Sequence, residues 1–223
     1  MLRIVFGLIL ASWWSTSMAA DWNIDDCKID DKLLVAGDVQ TCEKSFGVPG
    51  LGQKKGVMGV LLINAPYNTV WKVISDWEAQ SQFVPGLKYF KIKHLFPGGD
   101  ESSWHSLVEG QLDIPFVACR YTLDAHFDQR VGKMSWQMLN PEDIKRYQSE
   151  HIPVEMPDED RLKNVEGFAQ ITAYDDKRTV YYYAPVVETS VPVPDFIQSA
   201  IMSVSLNDYL AAIKEAAEKR VKR

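Results

Sequence analysis

Two segments bracket the middle of this chain and limit what it can fold into. At one end, Val60 to Trp77 reads Val-Leu-Leu-Ile-Asn-Ala-Pro-Tyr-Asn-Thr-Val-Trp-Lys-Val-Ile-Ser-Asp-Trp, an apolar strand running into a helix. At the other, the Pro-rich Val191-Pro-Val-Pro194 leads into a long apolar helix from about Asp195. Between them run strand-like segments with almost no helix signal. A curved sheet gripping one long helix can enclose a space, so an interior for an apolar ligand is the first expectation.

Composition supports a full interior. Hydrophobic residues make up 46% of 223, and 7 of the aromatic side chains are Trp. The formal net charge of −6 repels phosphate backbones, so nucleic acid is not an expected partner.

The first residues read as an export signal rather than as part of the fold. Arg3 is the only charged side chain before Ala20, Ile4 to Leu10 is apolar, and Ser17 and Ala19 place small residues where a signal peptidase reads them. Residues 1–20 are therefore expected to be removed after Ala19 or Ala20, and their apolar run is too short for a stable membrane span. Cysteine usage agrees with an oxidising compartment. Cys27 and Cys42, in a polar N-terminal segment, are expected to form a disulfide, and Cys119, in an apolar strand, a buried free thiol. Closing a loop of that length contributes roughly 3 kcal/mol in the chain-entropy picture.

Residues 21–56 read as an extension, with a strand over Leu33–Thr41 and a Gly-rich turn or loop from Gly47 to Gly56. Val57–Ile63 is a nearly continuous apolar strand. Pro66 suits a first helical turn, Val70, Val73, Ile74 and Trp77 recur at helical spacing, and a second helical piece over Glu78–Phe83 stops at Pro85-Gly86. Strands follow over Leu87–Phe96, Ser103–Glu109, Phe116–Phe127, Met134–Leu139, Val165–Tyr174 and Thr179–Val187. The Phe116 strand alternates cleanly, with Val117, Cys119, Tyr121, Leu123, Ala125 and Phe127 on one face. The Pro-rich, charged segment 140–163 interrupts this rhythm and reads either as a solvated loop or as a lid. The last helix is expected over Asp195–Lys219, with a very wide apolar face that buries its first half on most sides and its second half on one. Residues 219–223 form a basic tail that complements its negative end.

The order of strand, two short helices, strand meander and long C-terminal helix resembles the helix-grip fold. The residues that carry the resemblance are Ile63-Asn-Ala-Pro66 leading into Val70-Trp-Lys-Val-Ile-Ser-Asp76, then Phe83-Val-Pro-Gly86, and Val191-Pro-Val-Pro-Asp-Phe196. Together they look like the START-like (SRPBCC) superfamily, which includes lipid carriers and polyketide cyclase and coenzyme Q-binding proteins. The resemblance spans about residues 57–218 and implies an α+β fold, a curved antiparallel sheet of about seven strands around the C-terminal helix. It also implies an interior wall. The sheet would supply Trp104, Tyr121, Leu123, Trp136 and Met138, and the helix Phe196, Ile197, Ala200, Ile201 and Val204.

Little in the sequence points to catalysis. No nucleophile elbow, phosphate loop, dinucleotide fingerprint or metalloprotease motif is present, and no cofactor is expected. Asp124, His126 and Asp128 share one strand face, but it is the polar face, so a metal site is not expected there. Trp104 and His105 must face opposite ways. Three functions fit: an exported protein that binds or transfers a lipid, quinone or sterol-like molecule, with transient membrane contact; a polyketide cyclase-like enzyme using His94, Arg120 or Tyr121 as its acid or base; and a non-enzymatic envelope stress or interaction protein.

Overall fold

A computed structural model describes residues 24–48, 52–114, 117–157, 162–190 and 195–222. The expected export signal over residues 1–20 lies outside the described residues.

The chain forms eight strands and five α-helices among the described residues: α1 Asp31–Ala36, β1 Gln40–Val48, β2 Gly52–Ile63, α2 Tyr67–Ile74, α3 Trp77–Gln80, β3 Leu87–Pro97, β4 Ser103–Ile114, β5 Val117–Asp128, β6 Lys133–Met138, α4 Pro141–Ser149, β7 Leu162–Ala173, β8 Thr179–Thr189 and α5 Asp195–Val221. The strands make one antiparallel sheet in the order β1-β2-β8-β7-β6-β5-β4-β3. The fold is the expected α+β helix-grip architecture, with β1 as an eighth strand. The glycines expected to form a turn or loop lie mostly within a hairpin, since β1 and β2 stay paired out to Val48 and Gly52.

Two stretches differ from their expected form, and local hydrogen bonding explains both. Leu33–Ala36 is helical, not a strand. The Asp30 side chain accepts from the N–H groups of Lys32 and Leu33, and Gly37, with φ at 91°, closes the other end by donating to Leu33 and Leu34. These caps complete a helix only six residues long, too short for periodicity to reveal. Segment 140–157 likewise contains α4. Asn140 accepts from Glu142 N and Asp143 N at 2.9 Å each, and Pro141 takes the first turn, where its missing N–H is harmless.

Both additions cover the outer face of the sheet. Ile144 and Tyr147 of α4 pack with Ile152 and Val154 against Leu107 and Leu139. Leu107 points away from the Trp104–Val108 side of β4, so the segment is placed on the back of the sheet and not as a lid over its front. At the opposite end, Cys27 and Leu34 pack on Met58, Val60, Leu62 and Val180. Cys27 and Cys42 are disulfide-bonded, their Cα atoms 5.8 Å apart, and Cys119 is buried and outside any disulfide.

The main core lies on the concave face. Leu206, Leu210, Ile213 and Ala217 recur along α5 at helical spacing and are buried there. Burying each large aliphatic side chain contributes about 1.5–3 kcal/mol. Gly59 lets the helix come close, since a Cβ at that position would sit 2.5 Å from Leu210 Cδ1. Polar ties then fix the second half of the helix. Lys214 Nζ donates to the Leu62 carbonyl at 2.6 Å, and Glu218 accepts from the backbone and side-chain N–H of Asn64. No helix among the described residues is long and apolar enough to cross a membrane.

Candidate functional site

The alternation of each strand decides what faces α5. Register carries Trp104 opposite Phe127, Val108 opposite Leu123 and Gly110 opposite Tyr121 on β4–β5. It continues through Leu123–Met138 and Phe127–Met134 onto β6, and through Trp136–Gly167 onto β7. Ala169–Tyr183 and Ile171–Tyr181 complete the concave row on β8. All five sheet residues expected to line the interior, Trp104, Tyr121, Leu123, Trp136 and Met138, therefore share this face and belong to or pack on its core. Their counterparts on the helix, Phe196, Ile197, Ala200, Ile201 and Val204, lie in the first half of α5, whose side chains are outside the described residues.

The interior has two parts. Beside α2 and α3 it is filled by rings. Trp77 meets Phe90, Phe127 and Trp136 with centroids 4.9, 5.7 and 5.8 Å away, and Trp71 lies edge-on to Trp104 at 6.2 Å. Trp104 in turn stacks on Phe127 at 4.9 Å with planes 8° apart. Each pair adds about 0.5–1.5 kcal/mol beyond the area it buries. Where α5 leaves this cluster, the lining changes to phenols. Tyr183 stacks between Tyr209 at 4.2 Å and Trp136 at 5.6 Å, with Tyr181 beside it at 6.1 Å. Gly110 makes room for the next ring, since a Cβ there would meet Phe90 at 2.8 Å and Tyr121 at 2.9 Å.

These phenols join the buried hydroxyls of Ser106 and Thr179 as polar groups of a largely apolar wall. Gln80, 1% exposed, donates from Nε2 to the Ile74 carbonyl at 3.0 Å and accepts from the Tyr209 hydroxyl at 3.3 Å. The Tyr181 hydroxyl is fully buried, with the Tyr209 hydroxyl as its polar neighbour. Burial pushes the Tyr209 phenol up to about 12 and those of Tyr121, Tyr181 and Tyr183 well above their ordinary value. All four are protonated at neutral pH.

Of the three residues considered as an acid or base, only Tyr121 faces inward. His94 is turned outward by the irregular register after Ile92, which sets it opposite Leu107, and its ring lies 4.3 Å from Phe96. Arg120 alternates with Tyr121 and pairs with Glu155 at 3.0 Å on the outer side. His105 and His126 adjoin on that same outer face at 4.9 Å, and Asp124 lies 3.2 Å from His126. Among the described residues no group of three His, Cys, Asp or Glu side chains is placed to share a metal ion. Sequence reasoning singled out neither Tyr181, Tyr183 nor Tyr209. The signal was present in Tyr181-Tyr-Tyr183, because strand alternation must send its two outer members to one face.

No family model matches this chain, and no curated protein matches it. Solved structures do. An aromatase/cyclase, Zhui from Streptomyces sp. R1128, superposes with a TM-score of 0.54 at 14% identity over 82% of this chain and 96% of that one. A START superfamily protein from Mycobacterium smegmatis gives 0.52 at 16% identity, covering 75% and 97%. A STAR-related lipid transfer protein from Xanthomonas axonopodis gives 0.50 at 13%, covering 79% and 93%. At such identities the likeness speaks for the fold and not for the chemistry. With the strand order, the gripped helix and these superpositions together, the chain has the helix-grip fold of the START-like superfamily.

Proposed function

We propose that this protein is an exported carrier or receptor that holds an apolar small molecule, lipid, quinone or sterol-like, between the concave face of its sheet and the first half of α5. One observation carries the reading. The concave face presents a continuous ring-rich lining to a helix whose stretch from Phe196 to Val204 is apolar at six of nine positions in sequence. Rings around Trp77 fill the α3 end, so the ligand belongs toward Tyr121 and Tyr183. The fold shared with a STAR-related lipid transfer protein supports the same assignment. Binding needs no catalytic group; burial of apolar ligand surface supplies roughly 25 cal/mol per Å². Export is supported by the N-terminal pattern and by the Cys27–Cys42 bond.

Native mass spectrometry of protein purified from the exported fraction tests this. The expected result is an added mass that organic extraction removes. Protein that carries no added mass, and takes up none from donor membranes, would overturn the reading.

A cyclase-like activity is the second reading, favoured by the superposition on an aromatase/cyclase. Tyr121 is the one considered acid that faces the interior, and its raised pKa makes it a proton or hydrogen-bond donor rather than a base. Turnover lost in Tyr121→Phe while binding persists would establish it.

A further inference from the structure

We propose that α4 and the residues that follow it, up to Val154, form a pH-sensitive cover on the outer face of the sheet, loosened under mildly acidic conditions by a row of three imidazoles at its edge. The inference goes beyond the binding function and does not depend on it.

Strand pairing builds the row. His126 of β5 lies opposite His105 of β4, and His105 lies opposite Phe96 of β3. The irregular pairing after Ile92 turns His94 to the same outer side. The His126 and His105 rings are 4.9 Å apart, Phe96 lies 4.2 Å from His105, and His94 lies 4.3 Å from Phe96. The cover rests on one end of this row. Its Tyr147 ring is 6.1 Å from Phe96. With Ile144, Ile152 and Val154, Tyr147 also packs on Leu107, the next outward residue of β4 after His105.

The charges around His105 are unbalanced. Asp124 is the carboxylate that acts on it, and Asp124 Oδ1 already lies 3.2 Å from His126 Nε2. The cover adds no anion to this point. Burial raises the Tyr147 phenol, which stays protonated and neutral, and Asp143 is paired with Arg146 at 3.0 Å. A proton arriving on His105 therefore meets two neighbouring imidazoles and a carboxylate that is shared. His105 is also half-buried. Desolvation, with His126 and His94 beside it, holds its pKa below the ordinary imidazole value against the pull of Asp124.

Proton linkage sets the direction of the response. A depressed imidazole costs nothing above the unfolded value of about 6.5, where both states are neutral. As pH falls through that value the opened state takes up the proton first, and closure weakens until the folded value has been passed. Ordinary carboxylates titrate near 4, below this window. The arrangement thus couples a mild fall in pH to the exposure of the apolar patch around Leu107 and Leu139.

Amide exchange over Ile144–Tyr147 and Ile152–Val154, corrected for the intrinsic pH dependence of exchange, reads the opening. It is measured on the full-length protein at about pH 7.5 and about pH 5.5, either side of the imidazole range. The expected result is an opening about fivefold more frequent at the lower pH, confined to the cover. His105→Phe, which keeps a ring against Phe96, and His105→Gln should each abolish the response, and His151→Gln, at the exposed residue after α4, should leave it intact. A second measurement needs no variant. Histidine-selective NMR titration of the wild type should place the His105 midpoint below about 6.5, with the α4 signals shifting alongside it. Exchange that is independent of pH, a response that persists in either His105 variant or is lost in His151→Gln, or a rise shared by the concave strands would each overturn the inference. A His105 midpoint at or above the ordinary value would overturn it as well.

Discussion

The two faces of this sheet are built from the same strands and solve different problems. On the concave face rings meet rings, the backbone is thinned to glycine where Tyr121 and α5 come close, and the buried polar groups among the described residues are phenols, the Gln80 amide and the hydroxyls of Ser106 and Thr179. On the outer face the contacts are compact and ordinary. Leu34 and a disulfide cover one end, and Ile144, Ile152 and Val154 cover the other. An antiparallel sheet of this kind normally leaves one face to water. Here the extension and the α4 segment cover parts of that face, which reinforces the sheet from behind while α5 and the interior rings face each other in front. The outer side therefore reads as stability and the inner side as selectivity.

Substitutions can break this division. The largest effect is expected from Trp136→Ala, which removes a ring packed on both Trp77 and Tyr183; it should lower stability by about 3–5 kcal/mol and abolish apolar binding, measured by denaturant unfolding and by probe titration. Next, Cys27→Ser, or reduction of the wild type, should lower stability by about 2–4 kcal/mol while the folded fraction binds probe unchanged. A binding defect in that variant would show that the two faces are coupled. Asn140→Ala should take about 1 kcal/mol from the outer segment by uncapping α4, visible as faster amide exchange over Ile144–Tyr147 and nowhere on the concave strands.

The smallest effect depends on pH. Glu166 is buried on the outer side of β7 with Oε1 unpaired, and desolvation, with Glu188 nearby, raises its pKa. A carboxyl whose folded pKa is raised favours the folded state fully below its unfolded pKa, and that contribution is lost as pH rises through the folded value. Glu166→Gln should therefore melt higher than the wild type at pH 7 and converge with it as pH falls below the ordinary glutamate range near 4.3. A gain that persists at low pH would trace to packing instead.

The sequence made the concave face legible because alternation is a strict rule. Once Phe116–Phe127 was read as a half-buried strand, Tyr121 and Leu123 had to share a face, and Trp104 had to oppose His105. Alternation also contained Tyr181 and Tyr183, but with no neighbouring element in view the phenols could not be seen to gather with Tyr209, whose hydroxyl is held by Gln80 from a four-residue helix far away in sequence. His94 was misjudged for a related reason: the irregular pairing after Ile92 reverses the facing of the strand, and nothing in the local composition announces it. The outer additions were the least legible. Helix α1 depends on caps rather than periodicity, and α4 is polar on all but the Ile144–Tyr147 side, so its burial depends on Leu107 and Leu139 from other strands.

The place of β2 in the sheet has a consequence for how the chain reaches its native state. One edge of β2 pairs with β1, its neighbour in sequence, but its other edge is filled by β8, the last strand of the sheet in any N-to-C process. Until then the most apolar strand of the molecule, Val57 to Ile63, carries an open edge of the kind that recruits foreign strands. The disulfide between Cys27 and Cys42 fastens the covering segment to the hairpin partner of β2, and both cysteines precede β8 in the chain. In an exported chain it would act as an early guard, holding the strand's outer side shut while the centre of the sheet waits for its final member.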